Sequence, residues 1–146
     1  MSIESKPAVS KRHRGNSVIE AVLVFPLLLA LMFGTTEYGY YFYIKHTLEG
    51  AAREGARVGI LPSGDDTQVR QNVINYLANA GLQSGTASLD ARYSLTISPS
   101  AGSVASGSPL AVTIATTWSS VGAGYRPLHL IPANQTVAGT TTMRKE

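Results

Sequence analysis

The 146-residue chain has no cysteine, which excludes disulfides, thiolate nucleophiles and cysteine-based zinc sites and leaves the redox compartment undecided. Net charge is scarce as well. Of the formal +3, all is accounted for by Lys6, Lys11, Arg12 and Arg14 set against Glu4, so the residues after Gly15 sum to zero. A basic balance confined to a tail is no nucleic-acid-binding face, and no interleaving of basic and aromatic residues follows it. Catalytic signatures are missing too: there is no G-x-S-x-G, H-E-x-x-H or P-loop pattern, and His13, His46 and His129 lack a metal-like partner at short spacing. These absences read as a chain with no catalytic residues, cofactor, metal or nucleic-acid partner.

Charge is also nearly absent between Val18 and Phe33, where Glu20 stands alone. Asn16 to Thr36 supplies the roughly twenty residues needed to cross a hydrocarbon core of about 30 Å. Its many Leu, Ile, Val and Phe side chains each favour insertion by about 0.3–0.6 kcal/mol, enough to offset one acidic residue near the end of the span. A cleaved secretory signal would need a small-x-small site soon after the apolar run, whereas here the helical pattern continues. Lys11, Arg12 and Arg14 precede the span and Glu37 follows it, so the positive-inside rule puts the N-terminus in the cytoplasm. Tyr38, Tyr40, Tyr41, Phe42 and Tyr43 fit an interfacial aromatic belt, with packing against the outer domain or a neighbouring subunit as the alternative for some of them. Pro26 is tolerated as a kink within a membrane.

Beyond the belt, Ile44, Leu48, Ala51, Ala52, Gly55, Ala56 and Gly59 recur at three- and four-residue spacing, which predicts one helix to about Ile60 and a length of about 65 Å. The outer half must find protein to pack on. Ala51, Gly55 and Gly59 lie four apart and would let another backbone approach closely, which makes them the candidate helix-packing residues. Asp65 or Asp66 can cap a second helix that carries Val69, Val73, Tyr76, Leu77 and Ala80 on one face and stops at Gly81. The period then changes to two: Leu89 to Ile97, Leu110 to Trp118 and Val137 to Met143 predict three antiparallel strands. Ser119 to Asn134 reads as a loop, most simply a connector, with recognition carried on a scaffold-held loop as the alternative.

Arg14-Gly15-Asn16-Ser17-Val18-Ile19-Glu20 joins a basic leader, a glycine and a glutamate five residues beyond it to an apolar helix. This arrangement resembles the class III signal of type IV pilin-like proteins, in which a prepilin peptidase cuts after the glycine; here the cut would fall between Gly15 and Asn16. Glycine allows the extended conformation a protease groove requires. Glu20 would sit one helical turn from the freed amine of Asn16, or from that of an adjacent subunit, which makes it the candidate subunit-docking residue. The alternative for Glu20 is that it only reaches the cytoplasmic headgroups. Over a longer stretch, the Arg-Gly start, the mid-span proline, Glu37-Tyr38-Gly39 and Ala51-Ala52-Arg53-Glu54-Gly55-Ala56-Arg57 resemble the TadE-like family. Met143-Arg144-Lys145-Glu146 is also similar to endings in that family. One departure is Ala21, where relatives commonly carry Tyr or Phe.

The resemblance implies an α+β fold in which a long N-terminal transmembrane helix continues into a small pilin-like domain with a second helix and a small antiparallel sheet. It divides the chain into a basic leader (1–15), a transmembrane helix (16–37), its extramembrane continuation (38–61) and a periplasmic α+β domain (62–146). It also implies a minor pilin or pseudopilin of a Tad (tight-adherence) pilus, held in the bacterial inner membrane, possible in an extracellular pilus, and serving assembly and surface adherence. The implied partners are the prepilin peptidase, the Tad assembly platform and other pilins and pseudopilins. The rival reading is a single-pass envelope protein whose outer domain binds a ligand or partner without entering a pilus.

Overall fold

The computed structural model describes residues 13–145, with side chains from residue 17 onward. Most of the basic leader lies outside the described residues. Helix α1 runs unbroken over His13–Gly59, through Pro26. Its first half is apolar on nearly every side and, among the described residues, is left uncovered up to Leu130 at its outer end: Leu23 is 79% exposed and Val18, Leu27 and Leu31 are each about 60% exposed. This is the one helix among the described residues long and apolar enough to cross a membrane. Its second half is amphipathic and buried along one side, where Ile44, Leu48, Ala51, Ala52 and Ala56 are fully enclosed.

Helix α2 (Asp66–Asn79) lies beside that second half. Asp65 starts it, since its carboxylate accepts the Gln68 N–H at 2.7 Å and relieves one of the donors that a helix start leaves unpaired. Gly81 ends it in the left-handed region, with φ at 71°. The N–H of Leu82 reaches back to the Leu77 carbonyl and that of Gly81 to the Ala78 carbonyl, the paired bonds of a Schellman stop. The α2 core face is Val69, Val73, Ile74 and Leu77. Tyr76, expected on that face, lies at its rim, 38% exposed, with its ring over Gly50 of α1, where a Cβ would collide with it, and Ile74 is buried as well.

Three strands, β1 (Tyr93–Ser98), β2 (Pro109–Thr117) and β3 (Thr136–Arg144), form an antiparallel meander in the order β1-β2-β3. Alternation puts Leu110, Val112 and Ile114 of β2 and Val137 of β3 onto the helices, each of these side chains contributing about 1.5–3 kcal/mol by leaving water. The opposite face is a lattice of small residues, with Thr96, Thr113 and Thr140 in one cross-strand row and Ser94, Ala115 and Ala138 in the next. The sheet thus has one face on the helices and one open. Strand β1 begins four residues later than the alternation from Leu89 suggests. The Gln83 side chain is the reason: it donates to the carbonyls of Gly85 and Ser88 and accepts the Asp90 N–H, so residues 83–90 are held as a loop.

Helix and sheet backbones meet closely at Gly139. A Cβ there would lie 2.3–2.5 Å from backbone atoms of Leu48 and Glu49, so only glycine lets α1 lie directly on β3. The α+β architecture read from the sequence is thus the one observed.

Candidate functional site

The candidate site is the collar where α1 leaves its bare apolar half and enters the domain. The segment after β2 builds it. Strand β2 stops at Thr117 because Trp118 turns into a short helix, α3 (Trp118–Val121), followed by a single 3-10 turn at Ala123–Tyr125. Trp118 is fully buried against the rings of Tyr40 and Tyr41, with centroids 6.0 and 5.5 Å away. Tyr125 stacks on Tyr40 at 4.0 Å. The chain then descends along α1 through Arg126–Pro132 before returning to β3.

Glu37 holds that descending loop. Its side chain is 0% exposed. One carboxylate oxygen accepts the Ile131 N–H at 3.0 Å and the other accepts the Leu128 N–H at 3.3 Å. Arg126 completes the clasp by donating to the Ile131 carbonyl at 3.2 Å. A charged acceptor shared by two backbone donors is a strong pairing and fixes the loop to the helix. The residues 119–134 read as a simple connector are therefore partly helical and pinned to α1. Of the aromatic belt, Tyr40 and Tyr41 pack against the domain, Tyr43 is partly open but donates its hydroxyl to the Ala80 carbonyl after α2, and Tyr38 and Phe42 stay exposed. Glu37 follows the span as the sequence suggests, but it is a buried anchor and no solvated flank. Its partners are 91 and 94 residues away in the chain, and the signal that could have found it is a carboxylate on a helix beside an otherwise wholly apolar run.

The sequence-derived candidates fall in three places. Gly15 and Asn16 are in the first turns of α1 by backbone, and the surroundings of their side chains lie outside the described residues. Glu20 is exposed on the bare half, with no ion-pair partner among the described residues. Ala51, Gly55 and Gly59 line the buried side of the outer half. A Cβ on Gly55 would come within 2.8 Å of Val73, and one on Gly59 within 2.5 Å of Leu110 and 2.9 Å of Val69. This small-residue stripe is occupied by the chain's own α2 and β2. Glu20 and the stripe sit on opposite halves of α1, so the fold does not bring the candidates together.

The ionisable groups around the domain are structural in their bonding. Burial pushes the Tyr93 phenol up to about 12, and its hydroxyl donates to the Leu82 carbonyl at 2.8 Å. Burial also raises Tyr40, with Tyr125 and Tyr43 adding to it and Arg92 opposing. Arg92 is raised by its bond to Asp90. Among the described residues no group of three or more His, Asp or Glu side chains could hold a metal ion.

Residues 15–57 match the model of the TadE-like protein family. The TadE-like segment is thus nearly all of α1, and it includes Glu20, Glu37 and the small residues Ala51 and Gly55. It suggests a Tad pilus-associated, pilin-like protein, and with one bare apolar helix at its start it suggests single-pass membrane anchoring. Comparison with curated proteins and with solved structures returned no match. Helix α2, the sheet and the collar loop all lie beyond the TadE-like segment.

Proposed function

We propose that this chain is a minor pilin or pseudopilin of a Tad-type pilus, a subunit that supports pilus assembly and surface adherence and performs no chemistry of its own. In this reading α1 is threaded outward through the inner membrane, with the N-terminus cytoplasmic and the α+β domain periplasmic. A prepilin peptidase removes the leader after Gly15. Because α1 is already helical there, its first turn must open for the cut. Glu20 then pairs with the new amine of Asn16 or of a neighbouring subunit, an interaction favoured where the dielectric is low. The Tad assembly platform and other pilins are the partners.

The observation that carries the proposal is the division of one helix. The outer half of the TadE-like segment packs one side within the chain, while the inner half, below the collar loop, is left bare among the described residues with a lone carboxylate on it. Such a rod has two apolar environments open to it, lipid and the rods of sister subunits.

Mass spectrometry of the N-terminus of the membrane-extracted protein tests processing: the mature chain should begin at Asn16, and Gly15→Leu should leave the full-length precursor. Co-purification with sheared pili or with the assembly platform tests assembly. A chain that keeps its leader and never appears in either fraction would instead be an envelope protein acting outside the pilus.

A further inference from the structure

The collar loop carries two leucines at its tip, one on each side of the exposed His129, and reaches below the level of Glu37. Leu128 and Leu130 are 37% and 49% exposed. A Cβ on Gly34 would touch Leu130 at 3.5 Å, and Leu130 borders a shallow groove on α1 with Ala30, Leu31 and Gly34. Gly34 is three residues inside Glu37, about 4.5 Å toward the membrane at the helical rise. Leu130 therefore stands beside residues that belong to the apolar span.

Irregular backbone is tolerated at membrane depth only where its polar groups are satisfied within the protein. The stem of this loop meets that condition. The Leu128 and Ile131 N–H groups are taken by Glu37, the Ile131 carbonyl is taken by Arg126, and Pro127 and Pro132 have no N–H to satisfy. The tip turns at His129, whose φ of 53° is uncommon outside glycine. The tip N–H groups of His129 and Leu130 have no hydrogen-bond partner among the described residues, so a loop with two exposed leucines against the span suits the hydrated interface at the end of the span, where headgroups and water can serve its backbone.

We propose that residues 125–132 form a second membrane contact, laying Leu128 and Leu130 into the bilayer boundary at the outer end of α1. The proposal rests on the reading of the first half of α1 as a membrane span, with whose apolar surface the loop is continuous. The occupant is lipid. The domain would then rest on the membrane by two points, the rod and the loop, and its tilt would be restricted.

The absence of cysteine makes the test direct. Full-length Leu130→Cys and Leu128→Cys proteins, each carrying a nitroxide label, are reconstituted into phosphatidylethanolamine/phosphatidylglycerol vesicles, and label collisions with oxygen and with a water-soluble nickel chelate are compared. Leu27→Cys in the bare half and Thr142→Cys on the open sheet face serve as the lipid and water references. Both leucines are exposed, so the labels should not disturb the fold. The ratio of oxygen to nickel collisions at Leu130 should exceed that at Thr142 at least threefold and stay below that at the deeper Leu27. A ratio at Leu130 equal to that at Thr142, with Leu27 shielded from nickel, would overturn the loop contact alone. Nickel access at Leu27 would overturn the span itself, and the loop contact with it. Spin–spin broadening at Leu130, with poor access to both reagents, would assign the loop to a second copy and overturn the lipid contact.

Discussion

Removing the Glu37 carboxylate should release the collar loop from α1. In Glu37→Ala, the Ile131 N–H loses an acceptor at 3.0 Å and the Leu128 N–H one at 3.3 Å, with no other acceptor on the substituted side chain. A buried donor left unsatisfied costs about 1–3 kcal/mol. The Ile131 bond is buried and the Leu128 bond only partly so, and the larger loss belongs to Ile131. At about 1.4 kcal/mol per factor of ten, this corresponds to roughly ten- to hundred-fold easier local opening at Ile131. Native-state hydrogen exchange of the full-length protein in detergent reads that opening amide by amide. Glu37→Gln separates geometry from charge. Its carbonyl oxygen can keep one donor while its NH2 faces the other, so the shorter Ile131 bond should persist and Leu128 should exchange faster. The reasoning fails if Ile131 in Glu37→Ala exchanges within threefold of the parent, or if core amides of α2 and β2 accelerate as much as the loop does.

Gly139→Ala puts a methyl 2.3–2.5 Å from the backbone of Leu48 and Glu49, well inside the ordinary 3.5–4.0 Å carbon contact. Neither strand nor helix backbone can yield cheaply, so destabilisation should reach the upper part of the about 1–3 kcal/mol range for overpacking; an unchanged thermal midpoint would contradict the packing of α1 on β3. Gly39→Ala is the counter-case: nothing lies within 4 Å of the new methyl, and alanine should raise the midpoint by up to about 1 kcal/mol of helix preference. The Tyr93 phenol, raised to about 12, binds its proton more tightly folded than unfolded. Its contribution is complete below about pH 10 and is lost as pH climbs from about 10 to 12, by up to about 3 kcal/mol. Denaturant midpoints over that window should fall, with tyrosinate absorbance tracking the loss, and Tyr93→Phe should flatten that part of the decline.

What could be read from the sequence was whatever has a local period or a local chemical signature. The single long helix follows from three- and four-residue spacing sustained from the apolar run through Gly59, and α2 from Asp65 and Gly81 at its ends. Strand β2 follows from the alternation of Leu110, Val112 and Ile114. What escaped depends on distant or backbone partners. Gln83 shortens β1 through bonds to main-chain atoms, and no alternation of apolar residues reports that. Tyr76 lies at the rim of the core over Gly50 of another helix, and Ile74 is buried beside it, a contact that the spacing within α2 alone does not report. Glu37 was legible as a charge on the outer flank, but its donors are main-chain N–H groups of a loop that looks featureless in composition. Acceptors aimed at backbone leave no complementary side chain to recognise.

The unbroken course of α1 fixes the azimuth of the outer domain. The same rod that carries Leu23 outward carries Leu48 at the centre of the core, and it stays helical through Pro26 between them. Inserting one residue near Phe33 would swing everything above it through about 100° and lift it by about 1.5 Å. Any assembly that grips the lower rod by its side chains therefore sets the heading of each globular head, much as the bit of a key is set by its shaft.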